Sequence, residues 1–143
     1  MEKKLNVLLS DLVVFYHKLQ NYHWFVSGHS FFQVHGQLEG LYDSILPQID
    51  SVGELILIEE GIPVSRLSEF LENANIKEGE SGFNKDISGI FKGINEDFKY
   101  LLNSVKEIKA EADKEENYLV SAEMDEFIAS YSKSIWMISQ ASK

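Results

Sequence analysis

The chain has 143 residues, 44% of them hydrophobic, and its 13 basic and 23 acidic side chains give a formal charge of −10. That length suits one compact domain, 1–143, with a core of its own, and the apolar and aromatic content excludes a disordered chain. Without cysteine there are no disulfides, thiolate metal sites or cysteine nucleophiles, so any metal is held by nitrogen and oxygen. The acidic balance repels nucleic acid and attracts cations, which favours metal handling over DNA binding.

The opening MEKKLNVLLSDLVVFYHKLQ sets two lysines before an apolar stretch, as a signal peptide does, but Asp11 and the helical spacing of the polar residues argue against one. No run is long and apolar enough to span a bilayer, and the expected location is the cytoplasm. Proline occurs only at 47 and 63, and no stretch alternates in the manner of a strand, so the chain reads as all-helical.

The first helix is expected over Glu2 to Ser27, with Leu5, Leu8, Leu9, Leu12, Phe15, Tyr16, Leu19 and Tyr22 as its apolar stripe and Gly28 ending it. Ser30 reads as an N-cap, with Gln33 completing a capping box, and opens a second helix that runs to about Glu60, where Gly61-Ile62-Pro63 stops it. A short helix over SRLSEFLENA (65–74) falls in the connection that follows. A third helix is expected over Asn84 to Ala112 and a fourth over Lys114 to Ser142. Four long helices with an extended central connection define a four-helix bundle whose second and third helices run parallel, because the middle segment crosses over. Pro47 stands against one straight second helix: it removes an amide donor and crowds the carbonyl of Asp43, at about 3 kcal/mol in a helix interior.

The candidate ligands gather on that helix. At about 100° per residue, His35 at 0° puts Glu39 at about 40°, Asp50 at about 60° and Glu54 at about 100°, so the four share a face. Beside it lie Leu38, Leu41, Tyr42, Ile45, Ile49, Val52 and Ile56. Fifteen residues separate His35 from Asp50, roughly 22 Å of rise against metal–ligand bonds of about 2 Å. One ion therefore cannot join both ends within a chain, and the residues form two i, i+4 half-sites, His35 with Glu39 and Asp50 with Glu54. In NYHWFVSGHSFFQVHGQLE, His23 and His35 each lie six residues from His29, so an antiparallel hairpin adds His23 to the first half-site. An identical helix lying antiparallel across a two-fold axis would unite the halves. That places the axis near Ser44 and Ile45, with Ile45 at the interface and Gly36 level with Gly53. Imidazole and carboxylate ligands without sulfur suit iron or zinc. The competing reading is an ordinary solvated helix face.

These residues also carry a resemblance. LQNYHWFVSGHSFFQVHGQLEGLYDSILPQIDSVGELILIEEGIP resembles the signature segment of the Dps family, small ferritin-like proteins of bacteria, and SKSIWMISQ (132–140) resembles the end of that family's last helix. The resemblance implies a ferritin-like bundle and a homo-oligomeric shell of twelve subunits built from two-fold dimers. In such a shell ferrous iron is oxidised, preferably by hydrogen peroxide, and stored as ferric mineral. By position the implied ligands are His23, His35 and Glu39 from one chain with Asp50 and Glu54 from its neighbour, and zinc is a candidate competing ion. Glu39 stands where the family commonly has aspartate. Trp24 matches an aromatic residue that intercepts oxidising equivalents, or is a packed tryptophan of core or interface. The family's acidic entry pore lies near the start of the last helix, where Glu115, Glu116 and Glu123 occur but also Tyr118 and Ala122. His17 reads as structural or at the surface, and His29 as solvated.

A ferritin centre inside one subunit needs Glu-x-x-His motifs on two helices, whereas all four histidines here fall between residues 17 and 35. The alternative function, a DNA-compacting scaffold, needs phosphate neutralisation, and the termini offer only Lys3, Lys4 and Lys143. DNA binding is expected to be weak or absent.

Overall fold

The computed structural model describes residues 1–143. The chain forms α1 (Glu2–Phe25), α2 (Phe31–Ile58), the short α3 (Leu67–Asn73), α4 (Ile87–Lys114) and α5 (Tyr118–Ala141). This is the expected all-α four-helix bundle with an extra short helix in the central connection. α1 packs along α2 and α4 along α5.

The helix ends differ from expectation by a few residues, each for a local reason. α1 stops at Phe25 because Val26 turns extended and forms an isolated bridge with Asn84: Ser27 N donates to Asn84 O at 3.0 Å and Asn84 N to Phe25 O at 3.0 Å. That bridge also delays α4, which begins where the Asp86 carboxylate accepts from Gly89 N. Ser30 is the N-cap of α2, but its side chain makes no capping bond, so the capping box read there does not form. The break before α5 falls at Glu115–Asn117 rather than near Ala112: Glu116 takes a left-handed φ of 57° and Asn117 caps α5 by accepting from Val120 N.

The crossover runs the length of α1 and is tied to it at four levels. Asn6 Nδ2 donates to Ile62 O while Asn6 Oδ1 accepts from Val64 N. Asp11 Oδ1 accepts from Asn75 N at 2.6 Å and Ile76 N at 2.9 Å. Asn21 Nδ2 donates to Glu80 O, and the Asn84 bridge closes the path. The chain is thereby carried back to the end at which α2 began, so α2 and α4 run parallel. Asp11 is fully buried, and its other oxygen accepts from Tyr100 OH of α4 at 2.7 Å.

The shared core takes Leu5, Leu12, Phe15 and Leu19 from α1, Leu38, Ile45 and Ile56 from α2, Ile94, Phe98 and Leu101 from α4, and Met124 and Tyr131 from α5. Each such side chain contributes about 1.5–3 kcal/mol on leaving water. Phe15 meets Phe98 edge to face at 5.0 Å, and Lys18 pairs with Asp97 at 2.7 Å between α1 and α4. α2 runs unbroken through Pro47, whose ring is exposed. Ile45, expected at the two-fold interface, is fully buried in the subunit core. Its side chain points into the bundle, because the 3.6-residue period that turns His35 and Asp50 outward turns Ile45 inward.

The buried Ile76 amide and the part-buried Asn75 amide depend on Asp11, and leaving a buried donor unpaired costs about 1–3 kcal/mol. Asp11→Ala should lower the unfolding free energy by about 3 kcal/mol, whereas Asp11→Asn, which keeps an acceptor in place, should cost less than half as much; denaturant unfolding at fixed protein concentration measures both. Burial raises the Asp11 carboxyl above its ordinary 3.8, against the lowering effect of its hydrogen-bond donors. Between 3.8 and that raised value the native chain holds a proton that the unfolded chain has lost, so this contribution to stability falls as pH rises through the window. Asp11→Asn should flatten that part of the profile; an unchanged slope would assign it to other groups.

Candidate metal centre

The turn at residues 26–30 folds the start of α2 back on the end of α1 and lays the His23 and His35 rings face to face, with centroids 3.6 Å apart and planes 15° apart. Each ring is held by the other residue's backbone: His23 Nδ1 donates to His35 O at 2.7 Å and His35 Nδ1 donates to His23 O at 2.9 Å. A carbonyl oxygen only accepts, so both Nδ1 atoms carry hydrogen and each neutral ring is left with a bare Nε2 lone pair. That tautomer permits metal ligation through Nε2, and it is set by outer hydrogen bonds as in metal-bound histidines.

His23 Nε2 lies 4.0 Å from Glu39 Oε1, so the carboxylate faces that free nitrogen. Phe31 stacks on His35 with centroids 4.8 Å apart, and Tyr42 meets His23 edge-on at 5.2 Å. His23 is buried, His35 half-buried and Glu39 exposed, so the group opens outward from an aromatic floor. Burial, and then the charges of Glu39 and Asp43, raise the Tyr42 phenol, which stays protonated.

The second half-site lies on the same outward side of α2. Asp50 and Glu54 are both exposed, and the Glu54 carboxyl is raised first by a hydrogen bond with Asp50 and then by its charge. Two carboxylates this close favour a proton, or a cation, between them. No three His, Asp or Glu side chains of one chain converge to hold a metal. The structure sets the His23 ring against His35 and near Glu39, and Asp50 against Glu54, as two incomplete groups at different levels of α2.

Trp24 is exposed, with its ring 5.9 Å from that of His17, which is also exposed, as is His29. Tyr42 and Phe31, which wall the histidine half-site, were legible only as members of apolar stretches. Nothing in the sequence marked Gln48, a buried amide on α2; a glutamine among apolar positions of a helix was the only available signal.

A family model described as the ferritin-like domain matches residues 2–142. The chain is 34% identical to a DNA protection during starvation protein of Helicobacter pylori, over 94% of this chain and 92% of that one. It is 33% identical to the Listeria innocua protein of the same name, over 93% and 85%. Its fold superimposes with a TM-score of 0.94 on the Vibrio cholerae Dps protein, described as a member of a broad superfamily of ferritin-like diiron-carboxylate proteins. That pair shares 30% identity over 99% of this chain and 88% of the other. Dps from Listeria monocytogenes gives a TM-score of 0.91 at 31% identity, over 96% and 89%. The chain is a ferritin-like protein and belongs to the Dps family.

The reciprocal imidazole–carbonyl bonds predict that, without metal, neutral His23 and His35 are both Nδ1–H tautomers. Long-range proton–nitrogen correlation spectra of 15N-histidine protein should show this pattern for two of the four histidines and keep it at His23 in His35→Ala, which retains the main-chain carbonyl that accepts the bond. Two Nε2–H rings would contradict the assignment.

Proposed function

We propose that this protein oxidises ferrous iron with hydrogen peroxide at sites shared between two subunits and stores the ferric product inside a closed shell. The observation that carries the reading is the division of the ligands: two bare Nε2 atoms and Glu39 at one level of α2, and Asp50 with Glu54 at another, on one outward side of the helix. A second copy of α2, antiparallel across a two-fold axis, would bring each histidine group to a carboxylate pair. Membership of the Dps family supports this arrangement, and the family resemblance implies a dodecamer assembled from such dimers.

The outward side of α2 also supports a close helix contact. Space is open where a Cβ would stand at Gly36, Gly40 and Gly53, and each glycine is about 1 kcal/mol less favourable in a helix than alanine. Nothing within the subunit compensates, whereas a neighbouring helix approaching there would. Exposed Phe32, Leu46, Leu57 and Ile58 on α2 supply apolar surface for it.

Iron is the substrate. Nitrogen and carboxylate ligands accept both its oxidation states, because anionic oxygen offsets the charge gained on oxidation. Hydrogen peroxide takes two electrons, one from each of two ferrous ions, and with two protons leaves as two waters. Fixed rings and preset tautomers lower the reorganisation this requires. Zinc, which suits the same ligands, is expected to compete.

His35→Ala and Asp50→Ala should each abolish most peroxide-driven iron oxidation, although the residues are distant in one chain. In a dimer of one mutant with the other, one site carries both lesions and its twin carries neither. Co-assembled mutants should therefore regain up to about half the activity per mixed dimer, read by absorbance of ferric product. Correctly assembled mixtures that recover nothing would refute ligation across subunits.

The second reading, a DNA-compacting scaffold, is favoured only by the names of the relatives. Against it stand the charge of −10 and the pairing of Lys4 with Glu111 at 3.3 Å. DNA retardation near neutral pH in moderate salt should be absent or weak. Stable, magnesium-independent retardation in a mobility-shift assay would favour the scaffold.

A further inference from the structure

Between the half-sites of α2 lies a turn to which the iron chemistry assigns no role. Pro47 deprives the Asp43 carbonyl of its helical donor, and Gly53 follows within two turns, so this is the intrinsically weakest stretch of the helix. On its buried side stands Gln48, 8% exposed, whose Oε1 accepts a 2.7 Å hydrogen bond from Tyr131 OH of α5. Tyr131 is fully buried, and burial pushes its phenol far above the ordinary range, so it remains a donor.

The other α2 residues buried around this turn, Ile45, Val52, Leu55 and Ile56, are apolar. Apolar contact is non-directional and tolerates a small rotation, whereas a hydrogen bond has a preferred length and angle. Beyond it, side chains of α2 and α5 are hydrogen-bonded only at the caps, where Asn117 Nδ2 donates to Glu59 Oε1 at 2.8 Å. Asp50 lies about 200° around the helix from Gln48, so the two stand nearly back to back.

We propose that Gln48 and Tyr131 are positioning residues: their bond sets the rotation of α2 at the Pro47 turn, and with it the direction in which Asp50 and Glu54 meet the histidine half-site of a second copy. This rests on the composite site proposed above. At its start α2 is held to α1 by the histidine pair and at its middle to α5 by this bond. Each half-site thereby has its own directional anchor.

The test uses the full-length assembled protein and Co2+ as the probe, with visible ligand-field absorption reporting affinity and geometry and thermal melting reporting stability. Tyr131→Phe keeps the ring and its packing on Phe98 and Phe127 but leaves Gln48 Oε1 without its donor. Gln48→Met with Tyr131→Phe replaces both polar ends by apolar groups of similar size, which removes the desolvation penalty. Tyr131→Phe should bind Co2+ roughly tenfold more weakly, as when an outer hydrogen bond of a metal site is lost, with a changed spectrum. The double variant should recover melting temperature but neither affinity nor spectrum.

Wild-type affinity and spectrum in Tyr131→Phe would overturn the proposal. So would a double variant that regains affinity together with stability, because the pair would then serve packing alone. Co2+ binding that survives both His35→Ala and Asp50→Ala would mark failure of the composite site itself and remove the inference with it.

Discussion

Two hydrogen bonds, His23 Nδ1 to His35 O and His35 Nδ1 to His23 O, weld the end of α1 to the start of α2. Each has a net worth of only about 1 kcal/mol, yet the proposed metal chemistry depends on them. They spend one nitrogen of each ring on structure and leave the other bare. They also make the half-site a property of the helical hairpin, so metal is not needed to gather His23 and His35. The stacked rings, closed in by Phe31 and Tyr42, have little freedom to lose on binding an ion.

The carboxylate half is built on the opposite plan. Asp50 and Glu54 are exposed and share a proton-favouring contact, so in the proposed site a bound cation would relieve their mutual repulsion. A rigid nitrogen half and an adaptable oxygen half suit an ion that must be bound in one charge state and released in another. The crossover beside them serves a different purpose. Buried Asp11 gathers two backbone amides and the Tyr100 hydroxyl, pinning the long connection along α1 and fixing α2 and α4 as parallel.

α2 departs most from an ideal helix and also carries most of the proposed function. Pro47 and three glycines weaken it, and its inner face is secured by Ile45, Gln48, Val52 and Ile56. Those residues leave the outer face open for ligands and for a neighbour. In the proposed division of the site between copies, stability within the subunit and complementarity between subunits compete for the same helix. The inward turn of Ile45 marks the boundary: at that level the bundle core and the proposed two-fold contact use opposite sides of one backbone.

Much of this was legible in the sequence because helical periodicity is a local property. The apolar stripes located four long helices, the Gly-containing break located the hairpin, and a rise of about 1.5 Å per residue was enough to divide His23, His35 and Glu39 from Asp50 and Glu54. Helix ends were less legible. At Val26 and Asn84 a pairing between residues far apart in the chain overrode local helix preference, and at Ser30 a capping pattern had no capping bond. Only the tertiary structure decided the ring tautomers, the inward aim of Ile45 and the partners of Asp11 and Gln48. A side chain's hydrogen-bond partner is chosen by what other elements bring within about 3 Å of it, and that choice is made by packing across the bundle, where sequence spacing carries no information.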